Sequence, residues 1–97
     1  MKTMNRNAHA VSEILRALAH PMRLVIVCAL LERERCAMEL LAITGTTKGN
    51  ISQHLKLLVL KQFLHKRKDG NRVYYRIADM KLRNIIGCLS KCYCKHI

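Results

Sequence analysis

Residues 47–61, TKGNISQHLKLLVLK, decide how the rest of the chain is read. The stretch predicts one helix. Thr47 suits the N-cap, because a hydroxyl there accepts from the free backbone N–H groups of the first turn. Ile51, Leu55 and Leu58 recur at helical spacing and form an apolar stripe. The opposite face carries Lys48, Asn50, Ser52, Gln53, His54 and Lys56, whose donors and acceptors suit base edges and phosphates. Just upstream, Ala37–Ile43 predicts a short helix and Thr44-Gly45-Thr46-Thr47 a turn. A short helix, a glycine-containing turn and a polar-faced helix make a helix-turn-helix over about residues 37–61. Alone, the same stretch fits an amphipathic surface helix equally well, so its flanks must decide.

The downstream flank reads Leu64-His65-Lys66-Arg67-Lys68, then Asp69-Gly70-Asn71, then Arg72-Val73-Tyr74-Tyr75-Arg76-Ile77. A strong turn signal between β-favouring runs predicts a hairpin over about residues 64–77. A hairpin after a helix-turn-helix is a wing, and Arg67, Lys68 and Arg72 are its candidate contacts to phosphate or the minor groove. The plainer reading is a solvated hairpin whose charges discourage edge pairing. Asp79 then opens a last helix, about residues 79–94, with Leu82, Ile85, Ile86, Leu89 and Tyr93 on one stripe. That stripe exceeds what so small a core covers, so pairing with the first helix across a two-fold dimer interface is expected.

On the other flank, Val11, Ile14, Leu15 and Leu18 predict an amphipathic helix ending near Ala19, frayed over its first dozen residues. His20-Pro21 breaks it, since proline disfavours a helical residue before it and suits the first position of a new helix. The next helix, about Pro21–Leu31, is apolar nearly all round and is the central core helix. Glu32-Arg33-Glu34-Arg35 reads as a solvated connector without a site. Cys36 falls where the third helix needs its cap.

At 97 residues the chain is one domain, residues 1–97, with a thin core. With no Trp and one Phe, that core is aliphatic. The fold class is therefore mainly α with a β-hairpin wing, a winged helix-turn-helix forming a homodimer through its first and last helices. Eighteen Lys and Arg against six Asp and Glu give +12, a self-repulsion that points to a polyanionic partner, with double-stranded DNA the best fit. No apolar run approaches the roughly 18 residues of a membrane span, and no leader-like start is visible, so a cytoplasmic protein is expected. There is no Gly-rich phosphate loop, paired carboxylates or Ser/His/Asp order, so neither an enzyme nor a cofactor is indicated. Five cysteines, an odd number, argue against a stapled secreted scaffold. Three of them, Cys88, Cys92 and Cys94, cluster near the C-terminus, which points to metal or redox chemistry.

Three stretches carry a resemblance: LRALAHPMRLVIVCAL (15–30), TGTTKGNISQHLKLL (44–58) and KDGNRVYYRIAD (68–79). In this order they resemble the ArsR/SmtB family of winged-helix repressors, over almost the whole chain. The resemblance implies a dimer on a palindromic operator, released when an inducer reaches thiols or metal ligands. Two departures stand out. Gln62 lies near where many relatives place a glycine that lets the chain turn, so the path into the wing is expected to differ. Thr46 stands where relatives often place an apolar residue, weakening packing between the two helices.

The family's metal sites are tested by spacing. The third helix reads Cys36-Ala37-Met38-Glu39-Leu40, without the Cys-x-Cys of the arsenic type. Asp79-Met80-Lys81 lacks the Asp-x-His of the zinc type. Cys28 in the second helix and Cys94 after Tyr93 instead resemble the reactive-sulfur and redox-sensing branch, that of BigR, SqrR and HlyU. That pairing implies an inducer that is a reactive sulfur species or an oxidant, which bridges or modifies both thiols. The residues leave alternatives open. Cys28 also fits a small apolar core residue. Cys88, Cys92 and Cys94 would suit As(III) or a soft metal. Cys36, at a helix N-terminus in a basic protein, is a third candidate thiol, and a constitutive architectural DNA-binding protein without a switch has the same charge.

Overall fold

A computed structural model describes residues 2–92 of the chain. The elements run α1 (Lys2–Leu18), α2 (Pro21–Glu32), β1 (Arg35–Cys36), α3 (Ala37–Thr44), α4 (Lys48–Leu60), β2 (Leu64–Asp69), β3 (Arg72–Ile77) and α5 (Met80–Cys92). This is the winged helix-turn-helix expected from the sequence. Local chemistry sets most boundaries. His20 caps α2, its Nδ1 accepting from the Met22 N–H at 3.1 Å, with Pro21 in the first turn. Gly45 ends α3 at φ +70°, a left-handed turn that costs glycine little. Thr47 caps α4 by accepting from the Asn50 N–H at 3.2 Å. Asp79 caps α5 through the Leu82 N–H at 2.9 Å.

The core forms around α2. Ile26, Val27 and Leu30 of α2 meet Ile51, Leu55 and Leu58 of α4 and Leu82 and Ile86 of α5, all buried. Leu64 and Ile77 pair at the base of the hairpin and seal it to the same core. The described part of the α5 stripe packs largely within its own subunit, and Tyr93 lies outside the described residues. Leu82 and Ile86 are buried, and Ile85 and Leu89 pack against the core. An α2 that is apolar all round offers faces to several helices at once, which the stripe count understated. The uncovered apolar stripe belongs to α1, where Met4, Val11 and Leu15 are exposed. That helix also begins at Lys2, because its periodic pattern extends further upstream than expected.

The sheet has order β1-β3-β2, all antiparallel. A two-residue loop joins β2 to β3, with Gly70 at φ +63° in its first position, as a type II′ turn wants. The third strand, β1, was not foreseen. It has two residues and exists through its pairing with Tyr74 and Tyr75.

The exit from α4 keeps the turn that the glycine-less sequence put in doubt. Gln62 sits at φ +65°, the one non-glycine in that region among the described residues. Its N–H donates to the Val59 carbonyl at 2.9 Å, and the Phe63 N–H donates to the Leu58 carbonyl at 3.0 Å. These two bonds make a Schellman motif, and buried Phe63 supplies its usual apolar contact. Gln62 thus takes the left-handed turn itself and carries its strain. No single helix among the described residues is long and apolar enough to cross a membrane.

Candidate nucleic-acid interface and thiol sites

The outward face of α4 is basic and polar. Thr47, Lys48, Ser52, Gln53 and Lys56 are all exposed on it. No acidic residue falls between Glu39 and Asp69 in the sequence, while Lys48, Lys56, Lys61, Lys66, Arg67 and Lys68 do. Asn50 is half-buried, and its amide donates to Thr46 Oγ1 at 2.9 Å. The threonine that departs from the family pattern thus joins the turn to α4 by a hydrogen bond.

His54 is a correction. It was expected on the base-reading face, but it is buried, with 7% of its surface exposed. Position 54 follows Ile51 by three and precedes Leu58 by four, so it lies on the inward stripe. Arg23 Nε donates to His54 Nδ1 at 3.1 Å, and Arg23 Nη1 reaches the Ala17 carbonyl at 3.4 Å. The His20 ring stands 4.5 Å from the His54 ring, centre to centre. An Nδ1 that accepts fixes a neutral imidazole with its proton on Nε2, which finds no partner among the described residues. Burial, then the charges of His20 and Arg23, hold His54 below the ordinary histidine value. His54 therefore ties α4 to α2 and the end of α1. Arg23, its partner, escaped the sequence reading because the two are 31 residues apart.

The wing holds its charges less freely than expected. Lys66, Lys68 and Arg72 are exposed. Arg67, expected as a contact to phosphate or the minor groove, is exposed but ion-paired. Its Nε and Nη2 donate to Glu34 Oε2 and Oε1 at 2.9 and 2.6 Å, and its guanidinium lies 4.8 Å from the centre of the Tyr74 ring. Asp69 adds a contact at 3.7 Å. The hydrogen bonds to Arg67 hold the Glu34 carboxyl below the usual carboxylate range. The fork is matched to a carboxylate already, so Arg67 is not a free cation. The connector before β1 is likewise no idle run. Arg33 Nη2 binds Glu39 at 2.5 Å, and Arg35 Nε donates to the Ala29 carbonyl at 2.9 Å. Cys36 is the N-cap residue of α3 as expected, and Glu39 closes a capping box by accepting from the Cys36 N–H at 3.2 Å.

Cys28 is half-buried on α2 and disulfide-bonded rather than free. It lines a cleft of about 690 Å³, together with Val25 and Leu31 of α2, Ile43 and Thr44 of α3 and Ser90 of α5. Thr44 immediately precedes the turn into α4, so the cleft borders the helix-turn-helix. Cys94, the other half of the expected sensor, lies outside the described residues. Cys88 and Cys92 are free and exposed, one turn apart on α5. Cys36 is free but buried, which shields its thiol from reagents.

Residues 20–60 match the bacterial regulatory protein arsR family. A biofilm growth-associated repressor of Xylella fastidiosa is 30% identical over 91 residues, covering 94% of this chain and 80% of that protein. The chain belongs to the ArsR family. Reduced HlyU from Vibrio cholerae superposes with a TM-score of 0.90 at 29% identity, over 97% of this chain and 99% of that one. The HTH-type transcriptional repressor SmtB of Mycobacterium tuberculosis is 40% identical over 77 residues, or 79% of this chain. The chain spans 57% of that relative's length. Within this ArsR-family chain, no three metal-binding side chains come together among the described residues. The alternative set of Cys88, Cys92 and Cys94 includes one thiol outside them.

Proposed function

We propose that the chain is a dimeric, sequence-specific DNA-binding transcriptional repressor, released from a palindromic operator by thiol modification at Cys28 and Cys94. The observation that carries the DNA reading is the outward face of α4. Lys48, Ser52, Gln53 and Lys56 stand exposed beside a basic wing in an ArsR-family chain. Gln53 and Ser52 face bases; Lys48, Lys56, Lys68 and Arg72 face phosphates or the minor groove. Asn50 contributes through the turn it steadies. A second copy binds through the first and last helices, and Met4, Val11 and Leu15 of α1 are exposed among the described residues. Two copies of α4 then meet half-sites about one DNA turn apart.

Thiol sensing is supported by the place of Cys28. It lines an open cleft that borders the turn leading into α4, so a bridge there bears on that turn. The likeness to a protein solved as reduced HlyU supports a redox-linked switch, and reactive sulfur or an oxidant is the inducer class it serves. The test is a mobility shift on a duplex selected by the protein from a random library, with reduced protein and protein treated with polysulfide or peroxide. Release by treatment, with Cys28→Ser protein staying bound, is the expected result. A fully responsive Cys28→Ser protein refutes the sensor.

One observation favours a second inducer. Cys88 and Cys92 are both free and exposed on one face of α5, a dithiol geometry that suits As(III) or a soft metal, with Cys94 as third ligand. Thiolate charge-transfer absorption on titration with As(III), lost in Cys88→Ser, would select it.

A further inference from the structure

We propose that Arg67 is a positioning residue of the wing, clamped by Glu34 across the sheet, and not a nucleic-acid contact. The inference rests on reading the hairpin as a wing that touches DNA. Arg67 sits on β2, an edge strand of the sheet. Its side chain passes over Tyr74 of the central strand β3 and reaches Glu34, which precedes β1 at the opposite edge. The Arg67 side chain thus crosses the central strand to a carboxylate just outside the far edge strand. The bond is bidentate, a geometry arginine forms and lysine does not.

The lower half of the hairpin is held by the core, where Tyr75 also packs, while its outer half reaches beyond it. Leu64 and Ile77 anchor its base in the core, and β1 pairs with β3 over two residues only. Lys66 and Lys68 alternate with Arg67 along β2, so they project from the other face of the hairpin. The clamp therefore fixes the angle at which those two lysines are presented. It also joins the wing to the connector that Arg35 ties to the Ala29 carbonyl of α2.

The experiment compares Glu34→Gln, Arg67→Gln, the double variant and the charge swap Glu34→Arg with Arg67→Glu. Affinity for the duplex selected by the parent protein is measured over a range of salt concentrations. Hydrogen exchange of the backbone amides of residues 66–72 is followed on the free proteins. Each single change is expected to weaken binding roughly fivefold, with the double variant no weaker than either, because both remove one interaction. The slope of log K against log salt stays that of the parent, wing amides exchange faster to the same extent in both singles, and the swap regains most of the affinity. A slope reduced by about one in Arg67→Gln makes Arg67 a phosphate contact and overturns the proposal. Tighter binding by Glu34→Gln, or losses that multiply, overturns it too. A parent that selects no duplex at all fails the DNA reading itself, and the clamp's purpose with it.

Discussion

Helix α4 and the wing both carry a surplus of positive charge but hold it differently. On α4 the cations Lys48 and Lys56 stand clear on the outward face, and the polar residue that turns inward is the neutral His54. On the wing the central cation, Arg67, is bound to a carboxylate from another part of the chain. A helix sorts its own side chains by its period of 3.6 residues, so what faces out is settled locally. A three-stranded sheet offers each side chain neighbours from distant segments, so its free charge depends on what pairs with it.

The largest expected effect tests the inward face of α4. Leu58→Ala empties a fully buried position under both the helix and its C-terminal turn. It should lower unfolding free energy by about 2–5 kcal/mol in a urea titration. A loss below about 1 kcal/mol would mean that α4 is held by something other than this core.

Next comes the outward face. Lys48→Ala with Lys56→Ala should weaken binding to a selected duplex on the order of tenfold or more and lower the salt slope by about two. If the slope does not move, the two cations of α4 are no freer than Arg67, and the contrast between the elements fails.

The exit from α4 gives a smaller change of opposite sign. Gln62→Gly relieves a left-handed residue that the Schellman turn requires. Thermal or denaturant unfolding should show a gain of about 1 kcal/mol, because glycine meets no steric penalty at that φ. A loss would show that the glutamine side chain steadies the turn by more than its strain costs.

The smallest effect is that of pH. His54 is held below the ordinary histidine value in the folded protein by burial, His20 and Arg23. The unfolded chain therefore binds a proton at His54 at a higher pH than the folded one does. Stability supplied by this residue is complete above the unfolded value near 6.5 and declines as pH falls from there through the folded value. His54→Gln should flatten that part of the stability profile. The wing should add no comparable slope near neutral pH, since its clamp uses an arginine and a carboxylate.

Local signals made much of this legible in the sequence. Thr47 and Asp79 are caps because of bonds made within three residues, and Asp69-Gly70-Asn71 turns because glycine accepts positive φ. Gly45 stops α3 for the same reason. The α5 stripe was visible but its cover was not, since that needed the all-round apolar α2 to be placed beside it. His54 was misread because a histidine on a basic helix suggests chemistry, while its position relative to Ile51 and Leu58 already placed it inward. The strand β1 had no signal of its own, as two residues become a strand only when β3 lies alongside.

The sequence by itself determined the order of the five helices and the hairpin, the caps at Thr47 and Asp79, the polar face that begins at Thr47, and a positive charge concentrated between Glu39 and Asp69. These follow from interactions within a turn or two of chain, where backbone geometry leaves few choices. Only the tertiary structure decided which polar groups are spent internally. Arg67 meets Glu34 across 33 residues, and Arg23 meets His54 across 31. No local rule pairs such residues. They find each other because packing around α2 fixes where the connector, the wing and α4 lie.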